Sequence, residues 1–239
     1  RLGTALQSVH TVRKKAAQFR RSLLHAAFTG ALTGHDVEEG ELPDVWELSP
    51  LGDQATVVMG QAPPGSECNR ENMGTPFVKV GEFGAEFPSV REWTTKPLRM
   101  AAPNDVLICV VGATAGKINR SLECAIGRSV AALRPTESLN SSYLFHHMSL
   151  RTLEMRSGSR GSAQGVITKK DLETLEIPIP SLPEQDRIVE ILEDQLSRLD
   201  ASLAVADAVE ERSTALRRSL LHSAFTGRLT EEWREAVNV

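Results

Sequence analysis

Arg20-Arg-Ser-Leu-Leu-His-Ala-Ala-Phe-Thr-Gly-Ala-Leu-Thr33 and Arg217-Arg-Ser-Leu-Leu-His-Ser-Ala-Phe-Thr-Gly-Arg-Leu-Thr230 are one stretch written twice in a single chain. Twelve of the 14 positions are identical. Extended upstream, residues 1–33 and 198–230 share 16 of 33 positions at a constant offset of 197, without a gap. A solenoid repeats every ~20–50 residues, so copies this far apart enclose a domain instead of stacking on one another. The repeat reads as a pseudo-symmetric molecule in which two like elements flank a large insert.

Both copies read as helices. Leu2, Ala5, Val9, Val12, Ala16, Phe19, Leu23 and Ala26 follow the alternating three-and-four spacing of a coiled-coil seam. The second copy gives Leu199, Ser202, Ala206, Val209, Ser213, Leu216, Leu220 and Ser223, a seam of smaller side chains that permits close approach. Gly30 and Gly227 stand where a left-handed residue ends a helix. The second helix begins before its repeat, because Ser181-Leu-Pro-Glu184 forms a capping box with proline in the first turn. An unbroken helix from Leu182 to Thr226 would be about 67 Å long. That length suits a strut, paired antiparallel with the other copy.

Between the helices, residues 34–45 are polar, acidic and Gly/Pro-bearing, as a linker is. From Trp46 the chain turns to short β-rich runs at Ala55–Met59, Pro76–Val80, Val106–Val111 and Ala125–Leu133. A helix around Ser142–Met155, a Gly/Ser-rich loop at Ser157–Gly165 and a final strand at Leu172–Ile179 follow. The expected fold class is therefore α+β: a β-rich domain (46–181) inserted between a helix (1–33) and a longer helix (182–230), the two packing as an antiparallel coiled coil, with a tail at 231–239.

Composition limits the function. At 239 residues with 41% hydrophobic and 24% charged residues, the chain can bury a full core and is neither disordered nor fibrous. Cys68, Cys109 and Cys124 form no C-x-x-C, which argues against a zinc site or a disulfide framework. No apolar run is long enough for a membrane span, and no signal-peptide pattern is present, so a cytoplasmic location is expected. The chain starts at Arg1 without methionine and reads as the later part of a longer one.

A net charge of −4 does not announce a nucleic-acid partner, so local charge has to carry that case. Residues 46–180 hold 14 acidic and 14 basic residues, yet 117–170 hold nine basic and three acidic. The loop Arg156-Ser-Gly-Ser-Arg160-Gly-Ser-Ala-Gln164-Gly-Val-Ile-Thr168-Lys-Lys170 mixes guanidinium, amide and hydroxyl groups with glycines. Arg pairs bidentately with guanine and Gln with adenine, while Lys, Ser and glycine N–H groups suit phosphates.

Chemistry of other kinds finds no footing. Gly112-Ala-Thr-Ala-Gly-Lys117-Ile118 is one residue short of a phosphate-binding P-loop and has Ile where a magnesium-holding hydroxyl belongs. His146 and His147 are adjacent, hence about 100° apart on a helix, unlike a metal pair. Nothing reads as catalytic, and no metal or cofactor is expected.

The motifs Trp46-Glu-Leu-Ser-Pro-Leu51-Gly-Asp53, Pro76-Phe-Val-Lys-Val-Gly81, Val106-Leu-Ile-Cys-Val-Val-Gly112, Gly116-Lys-Ile118, Ala125-Ile-Gly-Arg128, Ile167-Thr-Lys-Lys-Asp-Leu172 and Ile177-Pro-Ile-Pro-Ser-Leu-Pro-Glu-Gln185 resemble those of the DNA specificity (S) subunits of type I restriction-modification systems. The resemblance covers essentially the whole chain, most specifically in the last motif. It implies the end of a central spacer helix, a second target-recognition domain and a C-terminal spacer helix. It further implies a non-catalytic protein that reads one half of a split double-stranded DNA site. Its partners would be methyltransferase (M) subunits, motor-nuclease (R) subunits, and the upstream half of the same subunit or a second copy of the chain.

Side-chain chemistry, and no motif match, selects the contact candidates. Arg156, Arg160, Ser162, Gln164 and Thr168 are expected at or near bases, and Lys79, Lys117, Arg120, Arg128, Lys169 and Lys170 on phosphates. Phe28, Phe225, His25 and His222 lie at matching places in the two copies and are candidates for partner docking. Phe28 and Phe225 would serve equally as the chain's own core. Three rival readings are the recognition portion of a single-chain restriction-methyltransferase, a half-length S protein that dimerises, and a coiled-coil adaptor with no DNA role.

Overall fold

The computed structural model describes residues 2–38, 40–158, 166–231, 233 and 236, with side chains described from residue 7 onward outside 153–158. It divides into two compact units, residues 23–192 and residues 1–22 with 193–239. No helix among the described residues is long and apolar enough to cross a membrane.

The first helix, α1, spans Leu2–Phe28. Gly30 then takes φ +85°, and a Cβ there would stand 2.5 Å from Pro43 Cγ, so both the backbone and the space demand glycine. In the unit 23–192 this helix end buries Leu23, Leu24, Ala27 and Phe28.

A two-stranded ribbon pairs β1 (Glu47–Pro50) antiparallel with β11 (Glu176–Ile179), so the start and end of the inserted domain meet. A short helix α2 (Leu51–Gln54) leads into β2 (Ala55–Met59). With β7 (Val106–Cys109), β8 (Ile118–Arg120) and β10 (Val130–Pro135) it forms an antiparallel sheet of order β2-β10-β7-β8. A five-stranded sheet runs β3 (Cys68–Asn69), β5 (Trp93–Thr94), β4 (Thr75–Val78), β9 (Cys124–Ile126), β6 (Met100–Ala101). All four β7 residues and the first four of β10 are buried. These are central strands covered on both faces, which is why their sequences run continuously apolar instead of alternating. Leu107, Cys109, Val130 and Ala132 pack with Val78, Phe83, Cys124 and Ile126 into one cluster.

The run expected as one strand over Ala125–Leu133 is two strands in different sheets, broken at Gly127-Arg128-Ser129. The run expected over Leu172–Ile179 begins as a helix, α4 (Lys169–Glu173), because Thr168 and Asp171 form a capping box: Asp171 N–H donates to Thr168 Oγ1 (3.2 Å) and Thr168 N–H to Asp171 Oδ2 (2.8 Å). Between them, α3 (Ser141–Gly158) lies against β7, β8 and β10. Asn140 caps it, accepting from Tyr143 N–H at 3.0 Å, and the buried Tyr143 hydroxyl donates to Pro178 O at 2.8 Å.

The most specific sequence motif receives its physical explanation at the start of the long helix α5 (Leu182–Phe225). Gln185 is fully buried; its amide donates to Ser138 O and Pro180 O, both at 3.0 Å, and its carbonyl accepts Asn140 N–H at 2.8 Å. One amide thus ties the loop before α3 to the loop before α5. Its neighbour Glu184 accepts from Thr33 Oγ1 at 3.0 Å and His35 Nε2 at 2.7 Å.

In the unit formed by 1–22 and 193–239, Arg13 pairs with Asp207 (2.7 Å) and Glu210 (2.5 Å), and Arg20 pairs with Asp200. One number rises as the other falls, the register of an antiparallel helix pair. The seam is half as wide as its spacing suggests: Val9 and Ala16 are buried, whereas Val12 and Phe19 are 42% and 46% exposed. Of the seam expected in the second copy, Ser202 and Val209 are exposed and Ala206 and Ser213 only half-buried.

Candidate nucleic-acid interface

Arg160, Ser162 and Gln164 lie outside the described residues, as does the side chain of Arg156. The re-entry of that loop is described: Ile167 N–H donates to Val110 O at 2.8 Å, and Val110 N–H donates to Ser129 O at 2.9 Å. The polar loop therefore rejoins the domain beside the Arg128 turn. Thr168 follows directly, but its hydroxyl belongs to the α4 cap, donating to Asp171 Oδ2 at 2.7 Å. Those bonds from Thr168 hold the Asp171 carboxyl below its ordinary value, with Lys170 adding to the effect. Lys169 pairs with Glu173 one turn on, at 3.3 Å, and Lys170 is exposed.

The remaining phosphate candidates separate into two groups. Lys117 donates to Phe83 O at 2.9 Å. Arg120 donates to Glu86 Oε1 at 2.6 Å and Ser142 Oγ at 2.7 Å, and lies over the Phe145 ring at 4.5 Å. These two cations bind the β8 edge to α3 and to the 83–86 loop. Arg134 forks onto the buried Asp105 at 3.0 and 2.9 Å, which raises the guanidinium's pKa chiefly through those hydrogen bonds. Lys79 is salt-bridged to Glu92 and stands over Phe77. Arg128 is exposed and, among the described residues, has neither a hydrogen bond nor an ion pair; the same holds for the Lys170 side chain. Much of the local positive charge read from 117–170 is thus engaged within the domain. Partner assignment depends on carboxylates distant in sequence, such as Glu86 and Asp105, and no local signal carries it.

A knot of backbone holds the Arg128 turn. Gly60 N–H donates to Val130 O and Gln61 N–H to Ile126 O, both at 2.9 Å, and Gly127 N–H donates to Val78 O at 3.0 Å. The approach is so close that a Cβ on Gly60 would fall 2.3 Å from Gly127 O. Gln61, which the sequence reading passed over, is exposed on that knot. The only sequence signal near it is Gly60 followed by the Pro63-Pro64 pair.

Of the partner-docking candidates, Phe28 is a correction. It is core, edge-on to Tyr143 and to His147 with centroids 5.0 Å away in both cases. Burial, assisted by Arg151, pushes His147 down to about 3, so the imidazole in that contact is neutral. Phe225 is 88% exposed, and His25 and His222 are exposed. Among the described residues no group of His, Cys, Asp or Glu is placed to hold a metal ion. Burial raises the Cys124 thiol to about 11, which leaves it unreactive.

Known proteins resemble this arrangement. A family model described as type I restriction modification DNA specificity domain matches residues 43–204. A putative type I restriction enzyme MjaX specificity subunit from Methanocaldococcus jannaschii is 28% identical over 237 residues, covering 95% of this chain and 54% of that protein. Among solved structures, a chain from work on complex assembly and conformational transition of the type I R-M system is 33% identical, with a TM-score of 0.74, over 94% of this chain and 57% of that one. An HsdS subunit from Thermoanaerobacter tengcongensis is 35% identical, with a TM-score of 0.64 and the same two coverages. The chain spans about half the length of the curated relatives it matches.

Proposed function

The chain belongs to the type I restriction-modification DNA specificity family, and from that premise we propose that it reads one half of a bipartite double-stranded DNA sequence and scaffolds methyltransferase subunits. The observation that carries the reading is the pairing of a compact β-rich domain with a 44-residue helix that begins at its own boundary, in a chain whose helix-end sequence occurs twice. A reader needs a rigid mount and a fixed distance to the second half-site, and a long helix supplies both. The proposed recognition domain extends over 46–181, between spacer segments 1–33 and 182–230. The chain carries no catalysis of its own; methyl transfer and cleavage belong to M and R subunits, in the cytoplasm. The exposed second copy, ending in Phe225, is received by a domain of the same kind, in the upstream half of the same protein or in a second copy of this chain.

Binding-site selection on random duplexes, with the methyltransferase subunits bound and at two salt concentrations, tests this reading. A short half-site enriched at both salts is expected. An intact complex that enriches no sequence at either salt would leave the helices as a scaffold without a reader.

A further inference from the structure

We infer that Gln61 and Arg128 form a fixed base-reading pair, mounted on the knot that joins residues 60–61 to the 126–130 turn; the inference rests on the DNA-recognition reading above. Three observations converge on it. Two backbone hydrogen bonds at 2.9 Å lash Gly60 and Gln61 to Val130 and Ile126, and the Gly60–Gly127 approach excludes any Cβ at position 60. Buried Pro63 pins the chain just beyond Gln61. Both side chains are exposed and, among the described residues, neither makes a hydrogen bond or ion pair, although most cations around them are committed.

A phosphate contact asks little of its mount, because a mobile lysine satisfies it. Bidentate base recognition further asks that the backbone carrying the planar group be fixed in place, so that the group meets one base edge and not another. A guanidinium and a carboxamide on one rigid turn match guanine O6/N7 and adenine N7/N6, respectively. Ile167, described just after the polar stretch, is tied to the same turn through Val110 and Ser129, so the pair stands near that residue. Arg128 is thereby reassigned from a phosphate contact to a base contact, and Gln61 is added to the reader.

The experiment is the same selection, run on the complete complex with wild type, Gln61→Ala, Gln61→Glu, Arg128→Ala and Arg128→Lys. Thermal melting of each complex verifies that the exposed substitutions leave it folded. Each alanine variant should lose preference at its own position in the half-site, on the order of 10-fold, with the salt slope unchanged. Gln61→Glu should move preference at its position towards cytosine. A uniform loss across sequences with the slope lower by about 1 would make Arg128 a phosphate contact and overturn the pair. Unaltered preferences in all variants would overturn it too, with the DNA-reading function intact. A wild-type complex that selects nothing would remove both.

Discussion

Copy 1 and copy 2 of the repeat have nearly the same sequence and the same local structure but opposite surroundings. Each helix stops at a left-handed glycine, φ +85° at Gly30 and +74° at Gly227. In each, the threonine before that glycine returns its hydroxyl to the carbonyl of a histidine, Thr29 to His25 at 3.0 Å and Thr226 to His222 at 2.8 Å. In each, a single 3-10 turn follows, at Ala31–Thr33 and Arg228–Thr230. The burial differs completely. Leu24 and Phe28 are 2% and 5% exposed, and their counterparts Leu221 and Phe225 are 49% and 88% exposed. Local sequence therefore sets the helix, its cap and its terminal turn, while a receiving domain decides whether the apolar face is buried. Copy 1 shows what such a receiver looks like: Tyr143 and His147 on α3, meeting the phenylalanine edge-on. On the function proposed above, the exposed end of copy 2 is the surface that a second receiver of this kind would cover.

The largest expected effect separates the two phenylalanines. Phe28→Ala removes a ring from a packed core and should cost about 3–5 kcal/mol in urea unfolding. Phe225→Ala should change the stability of the chain by no more than about 0.5 kcal/mol, yet weaken its association with a like domain at least on the order of 10-fold, measured by sedimentation of the complex; hot-spot aromatics at interfaces carry losses of this size. Equal destabilisation by the two substitutions would end the comparison, because it would place Phe225 in the chain's own core.

The glycines follow. Gly227→Ala imposes a left-handed backbone on a Cβ-bearing residue, about 1–2 kcal/mol. Gly30→Ala imposes the same strain and in addition drives a methyl to 2.5 Å from Pro43 Cγ, so its denaturation midpoint should fall further. If Gly30→Ala were the milder of the two, Pro43 would yield freely and copy 1 would be less firmly seated than its burial implies.

Much of this was legible in the sequence, and the boundary falls along a physical line. The repeat, the capping glycines, the helix start at Leu182 and the strand at Ala55–Met59 depend on near neighbours, and the structure has them there. The capping box expected of Ser181 and Glu184 does not close, because Glu184 N–H bonds Ser181 O and the carboxylate accepts from Thr33 and His35. The break at Gly127 was not legible, because a Cβ there would press on Lys79 Cγ at 3.1 Å and Phe77 Cζ at 3.2 Å, residues remote in sequence. Nor was the allegiance of Arg120, which depends on Glu86 and Phe145. Thr168 shows a different kind of miss. Thr168-Lys-Lys-Asp171 is a local capping box, and the apolar run beyond it drew the reading towards a strand. Phe28 was equally open to core and partner roles from sequence, because two copies alike around the phenylalanine offer like chemistry and only a tertiary neighbour tells them apart.

The smallest effect tests the polar half of the same contrast. Copy 1 ends at Thr33, whose hydroxyl reaches Glu184 as well as Gly30 O; the matching Thr230 hydroxyl meets Gly227 O. Burial alone would raise the Glu184 carboxyl, but the hydrogen bonds from His35 and Thr33 outweigh it and hold the group below its ordinary 4.5. A carboxyl depressed in the folded state contributes stability that is fully present above its unfolded value and is lost as pH falls through its folded value. Glu184→Gln keeps an acceptor and removes the charge, so near neutral pH it should cost about 1 kcal/mol. That difference should shrink as pH drops below 4.5 and disappear once the wild-type carboxyl is protonated. Urea midpoints of the two proteins across that range give the answer. A difference that stays constant with pH would mean that the Glu184 carboxylate does not fasten the end of copy 1, leaving its seat to Leu23, Leu24, Ala27 and Phe28 alone.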